Sequence, residues 1–253
     1  MREIILEKLT QIEQDKQVKI LYACESGSRA WGFASPDSDF DVRFIYIHQP
    51  DYYLSIDNGS DVIELPVNEV LDISGWDIRK ALKLFRKSNP PLMEWLQSPI
   101  IYQKNDAFFD EIKTLTPDYY IPRNGFNHYL NMTQNTFEGS LQTDMVKLKK
   151  YFYALRPILA CKWTVDKGEL PPMEFDKLRS IITDSLVQQA FDDLLAQKIK
   201  ADEKQTISPI KTLQDFIANT ILYCVEREKE TVYKNNNTEP LNTLFRKHLN
   251  ESW

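Results

Sequence analysis

Apolar residues recur at helical spacing at Ile4, Ile5, Leu9 and Ile12, so the chain opens on an amphipathic helix over residues 2–15. The period then changes. Lys19 to Cys24 is a nearly continuous apolar run of the kind a buried strand makes, and residues 28–32 suit one or two helical turns. Ser35-Pro36-Asp37-Ser38 has turn chemistry, and Asp39 to Ile47 is rich in strand-forming residues. Along that run Phe40, Val42, Phe44 and Tyr46 alternate with Asp39, Asp41 and Arg43, which puts the two acids on one face at the strand's start. Two further short strands are expected over 61–67 and 70–74, separated by Pro66 and Asn68. Gly75 is expected to break the second, and a helix to begin near Trp76. That helix has an apolar stripe of Ile78, Ala81, Leu82 and Phe85 and a basic side of Arg79, Lys80, Lys83, Arg86 and Lys87. Asn89-Pro90-Pro91 ends it; a short helix around Met93 to Gln97 and an apolar stretch from Ile100 to Tyr102 follow.

Beyond about residue 105 helical periodicity dominates, at Phe126 to Phe137, Met145 to Val165, Phe175 to Leu195 and Ile207 to Thr231. Asp202 to Thr206 is a polar connector, and Lys234 to Thr238 is a loop before a last short helix ending at Trp253. The expected fold class is therefore α+β. Residues 1–105 form a core with a small mixed sheet flanked by helices, and residues 106–253 form an all-helical C-terminal domain.

Composition narrows the function. A chain of 253 residues, 42% hydrophobic and 27% charged, is an ordinary globular protein. Its net charge of -6 argues against coating nucleic acid by charge alone and leaves room for a local basic groove. Cys24, Cys161 and Cys224 are odd in number and far apart, which fits neither a disulfide framework nor a metal knuckle, so a reducing cytoplasmic setting is expected. Charges scattered from Met1 to Val18 do not suit a secretory leader, and no stretch suits a membrane span, so no membrane partner is expected. His48, His128 and His248 are isolated and offer no zinc spacing.

The chemistry concentrates between residues 27 and 41. Gly27-Ser28 is followed, after ten residues, by Asp39 and Asp41, two carboxylates one residue apart that can share divalent cations. Magnesium takes oxygen ligands and keeps several waters, so two or three aspartates plus triphosphate oxygens suffice to hold two ions; manganese is an expected substitute. Gly27 permits close approach of a triphosphate, Ser28 supplies a hydroxyl, and Arg29 is a candidate phosphate contact. Among Asp61, Glu64, Asp72 and Asp77, Asp72 is the expected third acid, because Leu71 and Ile73 would face the core while Asp72 and Ser74 face away. Asp77 is expected in the first turn of the next helix. An Asp-x-Asp alone also occurs in solvated turns; the upstream Gly-Ser is what lifts it.

Two other groups stand out. On the helix expected from Met145 to Val165, Met145, Leu148, Phe152, Leu155 and Leu159 form the core stripe, while Lys149, Tyr153 and Arg156 share another side suited to a base and its phosphates. A kink is expected at Pro157, freeing the Tyr153 carbonyl. Arg79, Lys80 and Lys83 are candidate contacts for a polynucleotide acceptor, although such faces are commonly just solvated.

Gly27-Ser28 and Asp39-x-Asp41 resemble the DNA polymerase β-like nucleotidyltransferase superfamily. Within it, Glu25-Ser-Gly-Ser-Arg-Ala-Trp-Gly-Phe-Ala-Ser-Pro-Asp-Ser-Asp-Phe-Asp-Val-Arg43, Gly75-Trp-Asp-Ile-Arg-Lys-Ala-Leu82, Asn89-Pro-Pro-Leu-Met-Glu-Trp-Leu96 and Tyr151-Phe-Tyr-Ala-Leu-Arg-Pro-Ile-Leu-Ala-Cys-Lys-Trp163 are similar to the YcgL-like predicted nucleotidyltransferases, the RlaP family. The resemblance implies a magnesium-dependent nucleotidyltransferase core joined to a helical domain that completes the nucleotide and acceptor cleft, in a family linked to RNA repair. It implies metal binding at Asp39 and Asp41, triphosphate binding at Gly27 and Ser28, and the third-acid role at Asp72. The expected reaction moves a nucleoside monophosphate from an NTP to a hydroxyl, on RNA such as a tRNA or a damaged 3′ end, with release of pyrophosphate. A protein hydroxyl as acceptor, or NTP binding without turnover, are the alternatives.

Overall fold

In a computed structural model of the protein, the described residues are 1–66, 70–200, 202, 204–228 and 237–253. They form two compact units: Met1–Gly27 with Asp39–Tyr120 and Lys234–Trp253, and Ser28–Ser38 with Ile121–Tyr233. The segment between Gly27 and Asp39 thus packs with the second unit, and residues 106–120 with the first, unlike a simple cut at residue 105.

The first unit is built on five strands, β1 (Val18–Glu25), β2 (Phe40–His48), β3 (Val62–Glu64), β4 (Leu71–Asp77) and β5 (Ile101–Lys104), in the order β3-β4-β2-β1-β5. Only β2 and β4 pair in parallel; the other neighbours are antiparallel, so the sheet is mixed. The alternation read from the sequence holds. Val42, Phe44, Tyr46 and Ile73 join Ile5, Leu9 and Ile12 of the opening helix, Arg2–Lys16, in one buried cluster.

Gly75 does not break the second strand as the sequence suggested. It lies inside β4, opposite Phe44, and a Cβ there would come within 2.2 Å of the Phe44 ring, so the glycine serves close packing. The strand ends instead at Asp77, whose buried carboxylate caps the helix Ile78–Arg86 by accepting the Arg79 N–H at 2.8 Å. Asn89 and Asn105 cap the helices Pro90–Trp95 and Asp106–Tyr119 in the same way. The C-terminal helix Glu239–Glu251 completes this unit.

The second unit packs around the helix Leu148–Lys167, where Leu148, Phe152, Leu155 and Leu159 are buried as the spacing required. Met145 is not part of that stripe: it precedes the helix and is 53% exposed. Pro157 lies in the helix interior, which runs on through it. The helices Pro122–Ser140 and Lys211–Arg227 pack against it. The single helix expected over 175–195 is two, Phe175–Arg179 and Ser185–Lys200, because Asp184 accepts the N–H groups of Leu186 and Val187 at 2.8 and 3.2 Å and starts a new helix. Helix is interrupted once more, by a two-residue antiparallel ladder of β6 (Val146–Lys147) and β7 (Thr206–Ile207). Residues 28–38 are anchored here by Phe33, buried and stacked on Phe152 with centroids 4.5 Å apart. Burying such a ring contributes about 1.5–3 kcal/mol of transfer free energy.

Expectations at Val67 and Asn68, at residue 203 of the polar connector, for the end of the last long helix near Thr231, and for the loop at Lys234–Asn236 fall outside the described residues. Among the described residues no helix is long and apolar enough to cross a membrane.

Candidate active site

Asp39 is exposed immediately before β2, and Asp41 is the second residue of that strand. The parallel pairing of β2 with β4 sets Asp41 directly opposite Asp72. Both side chains are about a third exposed, on the face away from Val42, Phe44 and Ile73. The rival acids are engaged elsewhere or turned out. Asp61 pairs with Lys80 at 2.9 Å, Asp77 is buried as a helix cap, and Glu64 is exposed on the edge strand β3.

Arg43 shares that face. Its Nη2 donates to Asp72 Oδ2 at 2.7 Å and lies 3.7 Å from Asp41 Oδ1, while Nη1 donates to the Asp72 and Val42 carbonyls at 3.2 and 3.0 Å. A guanidinium thus holds positive charge among the acids, and among the described residues no three carboxylate, thiol or imidazole groups are gathered closely enough to hold a metal ion by themselves. The donor set of Asp39 and Asp41 is nevertheless the hard-oxygen type that suits magnesium. Gly27 lies against it: a Cβ at this position would fall 1.7 Å from Asp41 Oδ2. Only a residue without a side chain leaves the carboxylate where it is.

The approach to this pair is held by a residue to which the sequence assigned no role. Glu25 ends β1, is fully buried, and accepts the Asp41 N–H at 2.7 Å and the Tyr102 hydroxyl at 2.5 Å. The Ser26 N–H returns to the Asp41 carbonyl at 2.8 Å, and Ser98 donates to the Glu25 carbonyl at 2.6 Å. The end of β1 is thereby tied to the start of β2 through side chain and backbone alike.

In the second unit, Ser28 opens the short helix Ser28–Trp31. Arg29 closes its own loop, donating to the Ser38 carbonyl at 2.6 Å. Ser35 and Ser38 share a hydroxyl contact at 2.9 Å, and the buried Lys198 ammonium donates to Ser35 Oγ at 2.9 Å. Lys149 and Tyr153 are half-buried, whereas Arg156, which helical spacing puts on the same side, is buried. It is 3% exposed, donates from Nε to the Met173 carbonyl at 3.1 Å, and rests over the Trp31 ring at 4.9 Å.

The basic helix side of the first unit is also more engaged than its composition suggested. Arg79 lies over the Tyr53 ring at 4.6 Å and 3.8 Å from Asp77, Lys80 meets Asp61, and Arg86 donates to Thr238 Oγ1 at 2.7 Å; Lys83 is exposed. Arg79, Lys83 and Arg86 line a 250 Å³ groove with Leu241, Asn242 and Phe245.

A family model for the RNA repair pathway DNA polymerase beta family, RlaP, matches residues 1–247. The chain belongs to the RlaP family. As an RlaP member it is a nucleotidyltransferase-like protein of the DNA polymerase β type, in agreement with the resemblance carried by Gly27-Ser28 and Asp39-x-Asp41. It is 42% identical over 255 residues to an uncharacterized protein of Bacillus subtilis, YcgL, covering 100% of this chain and 98% of that protein. A nucleotidyltransferase-like protein of known structure from Exiguobacterium sibiricum is 12% identical, with 98% of this chain and 92% of that one covered and a TM-score of 0.32; so distant a likeness carries no argument about the site. What sequence reasoning missed in this RlaP chain are the supports, Glu25, Arg43 and Lys198. A buried acid directly before Ser-Gly-Ser was the one signal for the first; nothing in the spacing of Lys198 links it to Ser35, 163 residues away.

Proposed function

We propose that this RlaP-family chain moves a nucleoside monophosphate from an NTP to a hydroxyl of RNA, using two divalent cations held at Asp39 and Asp41, with Asp72 as the third acid. The observation that carries the reading is the contact of Gly27 with Asp41: a glycine is required where the carboxylate meets the Gly-Ser turn, which is the arrangement a triphosphate and its cations need. RNA as the acceptor is supported by the family's link to RNA repair.

Magnesium bound there would supply positive charge to the entering and leaving oxygens. The chain's own residues do the rest. Asp39 and Asp41 fix where that charge sits, and Glu25 fixes the Asp41 backbone. Ser28 receives the triphosphate, with Arg29 and Lys149 as further phosphate contacts. As the acceptor oxygen bonds to the α-phosphorus and the bond to the pyrophosphate oxygen breaks, Asp72 takes the hydroxyl proton, oriented by Arg43. Lys83, with Arg79 and Lys80 beside it, meets the acceptor's backbone.

The test is to incubate the purified protein with magnesium and each α-labelled NTP, offering total tRNA or cell-extract protein. Label in RNA is expected. Label confined to protein would replace RNA by a protein acceptor, and nucleotide binding without transfer to either would reduce the chain to an NTP-binding module.

A further inference from the structure

Within the second unit, Trp31, Tyr153, Arg156 and Pro157 line a cavity of 330 Å³ with Asn135 and Thr136 at its rim. We infer that this cavity takes the base of a nucleotide. The inference rests on the nucleotide-transfer reading above and adds to it the place and means of base recognition.

Four observations point to a nucleobase. First, the Trp31 and Tyr153 rings meet at 88° with centroids 6.4 Å apart, so they form a corner in which a flat ligand laid on one ring is met by the other. Second, the rest of the lining that flanks the rings, Met132, Phe152 and Pro157, is apolar and suits the flat face of a base. Third, the exposed Asn135 amide and the Thr136 hydroxyl offer both donor and acceptor, which reading a base edge requires. Fourth, among the described residues the one charge lining the cavity is the Arg156 guanidinium, with no carboxylate, which suits an electron-rich ring attached to phosphates.

The volume is that of a small-molecule site, too small for a folded partner. The short helix Ser28–Trp31 begins at the residue proposed to meet the phosphates and ends at the ring proposed to meet the base. Their Cα atoms are about 4.5 Å apart along the helix axis, so one turn of helix presents both.

The test measures, by calorimetry on the full chain with magnesium, the affinities of ATP, GTP, CTP, UTP and inorganic tripolyphosphate. Tyr153→Leu and Asn135→Ala are chosen because neither side chain is fully buried. Tyr153→Leu is expected to weaken the best-bound NTP about 5- to 150-fold, the range of one base–aromatic stack, and to leave tripolyphosphate unchanged. Asn135→Ala is expected to alter the ranking of the four NTPs. If NTP and tripolyphosphate affinities fall together, or NTP affinity and ranking do not move in either variant, the base does not bind here although the transfer reading stands. If the parent protein binds neither NTP nor tripolyphosphate, the transfer reading falls as well.

Discussion

Glu25 Oε1 accepts the backbone N–H of Asp41 at 2.7 Å, joining the buried end of β1 to the residue at the centre of the proposed metal site. Its second oxygen takes the Tyr102 hydroxyl, so each carboxylate oxygen accepts a hydrogen bond. Truncation in Glu25→Ala takes the Glu25 acceptors from two donors, the buried Tyr102 hydroxyl and the part-buried Asp41 N–H. A loss of about 3 kcal/mol is expected from those two groups, read as a lower denaturant midpoint at unchanged slope. An unchanged midpoint would show that the Glu25 network contributes nothing to the fold.

Gly27→Ala tests the contact with Asp41 from the other side. The new Cβ must displace the Asp41 carboxylate, whose Oδ2 would be 1.7 Å away. Transfer is expected to fall about 10²-fold for a displacement of roughly 1 Å. Gly139→Ala is the control, because a Cβ there meets nothing within 4 Å. That variant should keep full transfer and gain up to about 1 kcal/mol of helix stability.

Arg43 stands among the acids where cations are proposed to act. In Arg43→Gln the Asp41 and Asp72 carboxylates lose the guanidinium that lies 3.7 and 2.7 Å from them. The variant should melt lower than the parent in sodium chloride and recover more than the parent does when magnesium replaces sodium at equal ionic strength. Equal magnesium shifts in the two proteins would mean that Arg43 and the cation do not share these acids.

His48 provides a pH signature away from the acids. Burial, and then the Arg79 charge, lower its pKa from 6.5 to about 4; its ring is stacked on Tyr52 with centroids 3.6 Å apart. The unfolded chain therefore takes up this proton first as the medium is acidified. Stability contributed at neutral pH should be lost as pH falls from 6.5 toward 4, with no further change from this group below that. Proton resonance titration should place the His48 midpoint near 4 and move it upward in Arg79→Gln; a midpoint of 6.5 in the folded protein would contradict the burial argument.

The face of β2 that bears Asp41 was legible because a period of two leaves little choice once Val42, Phe44 and Tyr46 are buried. The face of Asp72 followed from the same rule on β4, but its register against Asp41 and its capture by Arg43 did not, since parallel pairing sets both and periodicity is silent about them. Gly75 was read as a breaker because glycine more often ends strands than fills a close contact; Phe44 decides otherwise, from 31 positions upstream. Arg156 was read with Lys149 and Tyr153 as one open stripe for a nucleotide because spacings of four and three align them on one helical side. Here Trp31, from a distant part of the chain, covers it. The packing of residues 28–38 with the second unit hangs on Phe33 and Lys198, and local pattern cannot show a partner so far along the chain.

In the proposed reaction the Asp41 carboxylate acts in nucleotide transfer and does not merely hold the start of β2. Asp41→Asn keeps the side chain's size and leaves its backbone N–H to Glu25, so the fold should survive, as judged by an unchanged melting temperature. The decisive measurement is the single-turnover rate of label transfer from the α-labelled NTP in this variant, at saturating NTP and magnesium. A fall of about 10³-fold, the several kcal/mol a cation supplies to the transition state, is expected if Asp41 holds that cation. Transfer at an unchanged rate would contradict it.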